Sequence, residues 1–366
     1  MKRIFHIFST LAVGGPQRRF ANLTERLEGY EHIVAAVDEN YSALDLIKGA
    51  KITRHPLNLQ KSSGLSFANF GKIAKALDIM HPDIVCTYNW GTIEAALVLK
   101  KRSTPHFHFE DGFGPDESII RQKRKRIWLR RFALSGRNTN IIVPSQSLLG
   151  LAQKRWGFKA KKVIYIPNGI DLARFRPMVR DQDRFTIGTV CALRREKNLH
   201  RLLNVFAMLP HDTKLMIVGD GPERQNLEDY ATRLGLTKRG LAGRVKFIGH
   251  VEDAASYYGQ MDVFALTSDT EQMPLGVLEA MASGLPVVAT NVGDVLAMVA
   301  QENRKFVHDL GDAPALAESL LWLKDNPQAR MNIGRNNRKR AEQGYCQTRM
   351  IKTYQALFDE AAGGQG

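Results

Sequence analysis

Thr267–Gly293, TSDTEQMPLGVLEAMASGLPVVATNVG, is the stretch from which the fold can be read. Pro274 stands where a helix can start, and Gly284 stands just past where it must stop. Between them Leu275–Ala282 reads as a short helix, and the β-rich run Val287–Thr290 reads as a strand after it. The amides at a helix start carry a partial positive charge and lack intrahelical acceptors, so this turn is suited to an anion. Glu271 precedes the helix, and Glu279 follows eight residues later. A fully helical path between them would rise about 12 Å. Taken alone, Glu279 is an ordinary helix acid and Glu271 a solvated loop acid. The context around them gives the pair its weight.

Working outward, apolar β-rich runs alternate with amphipathic segments along the whole chain. Strands are expected at Ile4–Phe8, His32–Val37, Ile84–Thr87, His106–Phe109, Ile141–Val143, Val163–Ile166, Thr186–Val190, Lys214–Val218, Val245–Ile248, Val263–Leu266 and Val287–Thr290. Such alternation implies parallel sheets covered by helices. Eleven strands exceed one ordinary sheet, so two doubly wound α/β domains are expected. The turn cluster Pro167-Asn168-Gly169-Ile170-Asp171 divides them, giving residues 1–167 and 168–345. The last four residues, 363–366, read as a loose tail.

The 366 residues carry a formal charge of +15, and that charge is uneven. Residues 1–170 hold 27 Lys and Arg against 13 Asp and Glu; the remainder hold 25 against 24. The first half therefore faces something anionic. Its densest basic segment is Arg121–Leu134, RQKRKRIWLRRFAL, where bases flank an apolar face containing Trp128 and Phe132. That composition suits either an anionic lipid surface or a core-packed helix with a solvated basic side. The three scattered cysteines rule out a disulfide framework and point to a reducing, cytoplasmic setting. No apolar run is long enough to span a bilayer, and Met1–Gly15 reads as a first strand and loop rather than a signal peptide.

Further segments add to the central stretch. Gly14-Gly15 follows the first strand; Arg194 and Lys197 follow a strand in the second half. Gly219-Asp220-Gly221 and Ile248-Gly249-His250-Val251 end two more strands. Glycine turns let backbone N–H groups approach phosphate or sugar, and two cations can neutralise a diphosphate without a metal. A nucleoside diphosphate-sugar has about the extent that separates Glu271 from Glu279. One carboxylate would hold the sugar and the other the ribose diol, with the helix start between them.

The segment EQMPLGVLEAMASGLPVVAT closely resembles the donor-site motif of GT-B glycosyltransferases, in particular the retaining family 4 group. TLAVGGPQRR, IPNGIDLARFRP, GTVCALRREKN, IVGDGPE and VKFIGHV resemble further segments of that group, in the same order along the chain. The resemblance implies two Rossmann-like domains facing across a cleft, closing about Pro167–Asp171. It also implies a C-terminal helix, within 346–366, crossing back to the first domain. The first domain would bind a saccharide or lipid-linked acceptor and the second a nucleoside diphosphate-sugar. No metal or other cofactor is required. Glu271 would orient the sugar and Glu279 the ribose. Arg194, Lys197, Gly14, Gly15 and the amides of Met273, Leu275 and Gly276 would face the diphosphate and sugar. Gly219, Gly221, Ile248, His250 and Val251 would line the nucleotide. Two departures stand out: Ala192 and Gln272 replace the arginine and glycine common in the group. On the acceptor side Asp111 ranks first and His108 second, with Glu110 third; His106 and His108 share a strand face, and the commoner fate of such histidines is a hydrogen-bonded place in the core. Asp116 and Glu117 read as solvated loop acids. The basic helix would then dock the enzyme at the inner face of the cytoplasmic membrane. Rival readings are a nucleotide-sugar epimerase or hydrolase on the same fold, or a non-catalytic nucleic-acid-binding protein. The last lacks interleaved aromatic platforms.

Overall fold

The computed structural model describes residues 1–59, 65–113, 117, 121–179, 184–237 and 243–363. It divides into two compact units, one formed by Met1–Asn168 and the chain from Thr348, the other by Gly169–Gln347. Asp116 and the expected tail beyond residue 363 lie outside the described residues.

The first unit is built on strands β1 Lys2–Phe8, β2 Tyr30–Ala36, β3 Ile52–Arg54, β4 Ile84–Tyr88, β5 His106–Phe109, β6 Thr139–Val143 and β7 Val163–Tyr165. They form one sheet in the order β3-β2-β1-β4-β5-β6-β7, with parallel pairing throughout. Central parallel strands are buried on both faces, which is why β4 reads as the unbroken run IVCTY. The C-terminal helix Gln347–Gly363 contributes Met350, Ile351, Tyr354 and Phe358 to this unit's core. The hydroxyl of Tyr30 donates to Asp359 of that helix at 2.7 Å.

The second unit contains β8 Thr186–Val190, β9 Lys214–Val218, β10 Val245–Gly249, β11 Val263–Leu266, β12 Val287–Thr290 and β13 Val307–His308. Their order is β10-β9-β8-β11-β12-β13, again all parallel. The helix Leu275–Ala282 has the bounds expected from sequence. Gly284, at φ +72°, closes it, with Leu285 N–H donating to the Ala280 carbonyl at 3.0 Å. The two strands missing from the sequence reading, β3 and β13, are edge strands of three and two residues, too short to leave a periodic signal.

Both sheets reverse direction beside their first strand: β1 lies between β2 and β4, and β8 between β9 and β11. In open α/β sheets such switch points open a crevice at the carboxyl ends of the strands, where ligands bind. Gly14-Gly15 follows β1, and the 191–198 and 267–271 loops follow β8 and β11. All three segments thus sit at switch points.

Candidate functional site

In the second unit, the loops after β8 and β11 are tied together. Asp269 N–H donates to the Glu196 carbonyl at 2.9 Å, and the Thr267 hydroxyl to that of Asn198 at 3.2 Å. Arg201 braces the junction, reaching the Thr267 carbonyl at 2.6 Å and Asp269 at 2.7 Å. On this frame Lys197 Nζ meets Glu271 Oε1 at 2.5 Å, and the Ser268 hydroxyl donates to the same oxygen at 2.8 Å. Burial opposes the charge on Lys197, but the carboxylate of Glu271 prevails and raises the ammonium pKa. A half-buried cation and carboxylate are thereby fixed at the end of the sheet. Arg194 is exposed beside them, as is Ala192.

Glu271 does not belong to the helix. The helix begins at Leu275, so the 12 Å rise computed for a continuous helical path does not describe the separation of Glu271 and Glu279. Pro274 is the N-cap, and the Val277 amide is the first to bond within the turn, to the Pro274 carbonyl at 3.2 Å. Leu275 and Gly276 precede it and are half-exposed; Met273 is buried. Gln272 is also buried, and its Oε1 has no hydrogen-bond partner among the described residues. Glu279 is half-exposed, and one of its oxygens accepts the Tyr258 hydroxyl at 2.6 Å.

Gly219 and Gly221 have a packing role. At Gly219, φ is +131° and a β-carbon would fall 1.9 Å from the Cys191 carbonyl oxygen; at Gly221 it would fall 2.5 Å from that of Leu193. The glycines let the loops after β8 and β9 touch through their backbones. Ile248 and Val251 are half-buried at the end of β10, and His250 is exposed.

The first unit revises the acceptor-side expectations. Gly14 caps the helix Gly15–Thr24 in an extended conformation. Asp111 is held by both guanidinium nitrogens of buried Arg19, at 2.6 and 2.8 Å, and its N–H donates to Asn89 Oδ1 at 2.7 Å. Asp111 is therefore a paired carboxylate with only 6% of its side chain exposed. His108 is fully buried and bonds Thr87 Oγ1 at 2.8 Å, as does His106 from the same strand face. β5 has neighbours on both edges and is covered on both faces, so the side chain of His108 lies inside the sheet rather than on its surface. The expectation for Glu117 is corrected. It is buried, 3.1 Å from Arg130 and 3.3 Å from Arg126, while Arg130 also reaches Glu110 at 3.3 Å.

Asn89 escaped the sequence reading. It sits at the carboxyl end of β4 with φ 58° and ψ −179°, a region that side chains rarely enter. Only its position after a strand, in Tyr88-Asn89-Trp90-Gly91, could have drawn notice. Among the described residues no group of three or more His, Cys, Asp or Glu is placed to hold a metal ion.

The chain matches the family model "Glycosyl transferases group 1" over residues 173–340 and "Glycosyltransferase Family 4" over residues 13–174. It is 30% identical to the sulfoquinovosyl transferase SQD2 of Arabidopsis thaliana, over 90% of this chain and 68% of that protein. This chain belongs to the family 4 glycosyltransferases of the GT-B fold. Another relative of this chain is the capsular polysaccharide biosynthesis glycosyltransferase CapM of Staphylococcus aureus. The two are 29% identical over 48% of this chain and 46% of CapM. The first four curated relatives are matched over 40–52% of their own length, so this chain spans about half of each. Among solved structures, Anabaena Alr3699/HepE in complex with UDP and glucose superposes with a TM-score of 0.80. Identity there is 19%, and the match covers 98% of this chain and 100% of HepE.

Proposed function

We propose that the chain transfers a sugar, with retention at the anomeric carbon, from a nucleoside diphosphate-sugar to a saccharide or lipid-linked acceptor. The setting is envelope polysaccharide or glycolipid synthesis. The observation that carries this reading is the Lys197–Glu271 pair, fixed beside the start of the helix that bears Glu279. Glu271 orients the sugar, Glu279 holds the ribose, and Lys197 and Arg194 stabilise the departing diphosphate. The bond from the anomeric carbon to the diphosphate oxygen breaks as the bond to the acceptor oxygen forms. The acceptor proton passes to the departing diphosphate, so no dedicated base is needed. CapM is named for capsular polysaccharide biosynthesis, SQD2 for sulfoquinovosyl transfer, and HepE was crystallised with UDP-glucose, all of which supports the reading.

The test is thermal stabilisation by UDP, GDP, ADP, CMP and dTDP, followed by analysis of the product's anomeric configuration. A ligand at 100 times its dissociation constant contributes about 2.7 kcal/mol. One responding diphosphate identifies the donor base; silence from all five removes the donor site, and an inverted product removes retention.

We further propose that Arg121–Leu134 rests on an anionic lipid surface. The supporting observation is the stacked pair Trp128 and Phe132, 65% and 47% exposed, with ring centroids 5.5 Å apart. Arg124, Lys125 and Arg131 lie exposed on the same helix. An open apolar groove of about 550 Å³, lined by Leu65, Arg124, Lys125, Trp128 and Leu129, adjoins it. Aromatic rings among bases suit the boundary between headgroups and acyl chains. Among the described residues no helix is long and apolar enough to cross a membrane.

A further inference from the structure

We infer that Asn89 binds the acceptor, its side-chain amide donating to a hydroxyl of the sugar that receives the transferred residue. The inference rests on the transferase reading above and adds a residue that reading does not contain.

Asn89 follows β4 at the switch point of the first sheet, where ligands of open α/β sheets bind. The loops after β1 and β4 meet closely there: a β-carbon on Gly91 would lie 2.4 Å from the β-carbon of Ser9. Asn89 stands at φ 58° and ψ −179°, a backbone region that favours glycine. Such strain persists only where the surroundings impose it. Here four hydrogen bonds do so. The Asn89 N–H donates to the Phe109 carbonyl at 2.8 Å, and its own carbonyl accepts the Thr92 N–H at 3.2 Å and the Thr92 hydroxyl at 3.0 Å. Its Oδ1 accepts the Asp111 N–H at 2.7 Å. That last bond orients the side chain. A backbone N–H bonds only to the oxygen of a carboxamide, so Nδ2 points away from Asp111 N–H. The residue is half-exposed, and Nδ2 donates to none of the described residues. Glycine would hold this backbone without strain; asparagine adds an amide donor at the mouth of the crevice.

The surroundings select an uncharged ligand. Asp111 and Arg19 face each other through paired bonds of 2.6 and 2.8 Å, and both side chains are buried, so their charges offset each other. An anion would find the guanidinium already engaged. A sugar hydroxyl needs only a donor for its oxygen, and Asn89 supplies one. A carboxamide does not titrate, so Asn89 binds the acceptor and carries no proton in the transfer.

The experiment compares Asn89→Gly with wild type in the full chain, using the nucleotide-sugars of whichever diphosphate stabilises the wild type. The acceptor probes are octyl glucoside, octyl galactoside and octyl N-acetylglucosaminide, then the monodeoxy analogues of the glycoside that accepts the sugar. Removing one particular hydroxyl should cost the wild type roughly ten-fold in kcat/KM and should cost Asn89→Gly nothing. KM for the parent glycoside should rise by the same factor in the variant, while diphosphate affinity and donor hydrolysis by water hold. The melting temperature should hold too, because relief of the strained backbone offsets the lost bond to Asp111. Asn89→Asp keeps that bond but loses the donor, and it should change discrimination at the same hydroxyl. Wild-type discrimination at every position in either variant overturns the inference and leaves Asn89 as a residue that shapes the turn. A wild type that hydrolyses its donor but transfers to none of the three glycosides overturns it as well, since the crevice then takes no such hydroxyl. A wild type that binds no diphosphate removes the transferase reading itself, and the inference with it.

Discussion

Replacing Arg130 with methionine should destabilise the first unit far more than removing any exposed base of the same helix. Arg130 has 1% of its side chain exposed; Glu110 and Glu117, which it bridges at 3.3 and 3.1 Å, have 0% and 1%. The guanidinium also lies between Trp90 and Trp156, 4.9 Å from each ring centroid. Removing one partner of a buried ion pair costs about 3–5 kcal/mol, because the remaining charge has lost both water and counter-ion. Here Glu110 is left with only the His108 ring at 3.6 Å, while Glu117 keeps Arg126 at 3.3 Å. The loss should therefore fall near the middle of that range, and a domain of this size would melt roughly 10 °C lower. Urea titration followed by tryptophan fluorescence reads it directly, since two indoles flank the site. Arg124→Ala and Lys125→Ala should stay within about 0.5 kcal/mol of wild type. Neutralising Glu110 and Glu117 together with Arg130 should recover most of the loss. An Arg130→Met midpoint within about 1 kcal/mol of wild type would refute the reasoning and return Arg130 to the basic surface face.

Acid should weaken the first unit through His6 and His32, whose rings are 3.0 Å apart, with His6 also 2.9 Å from the Tyr88 hydroxyl. Burial lowers both pKa values, that of His32 to about 4, so the His32 contribution is complete above the unfolded value near 6.5 and disappears as pH falls from there toward 4, with His6 acting in the same direction. For His32 the loss approaches about 3 kcal/mol, and a His32→Gln variant that unfolds with the same steep pH slope would contradict this. Gly219→Ala should displace the 191–198 loop, since its β-carbon would overlap the Cys191 carbonyl; nucleoside diphosphate binding should fall before global stability does, and an unaltered affinity would argue otherwise. Trp128→Ala with Arg124 and Lys125 neutralised should abolish sedimentation with anionic vesicles while sparing nucleotide affinity, and undiminished sedimentation would exclude that face.

Sequence alone determined the architecture. Strand–helix alternation, the proline and glycine bounding Leu275–Ala282, and the ordered motif set depend on local chemistry, and the two parallel sheets and family membership agree with that reading. Tertiary structure decided the fate of the charges. Arg130 and Arg124 are six residues apart in one basic run, yet one is buried against two acids and the other is exposed. Helical phase narrows such a choice, but the partner acids come from distant chain segments that composition cannot locate. Glu117 reads as solvated but is buried for the same reason: burial follows from what packs against a loop, and packing is non-local. Tyr258 shows the converse. Its ring could be guessed as core, but its hydroxyl meets a carboxylate twenty-one residues away only because the fold brings the two together.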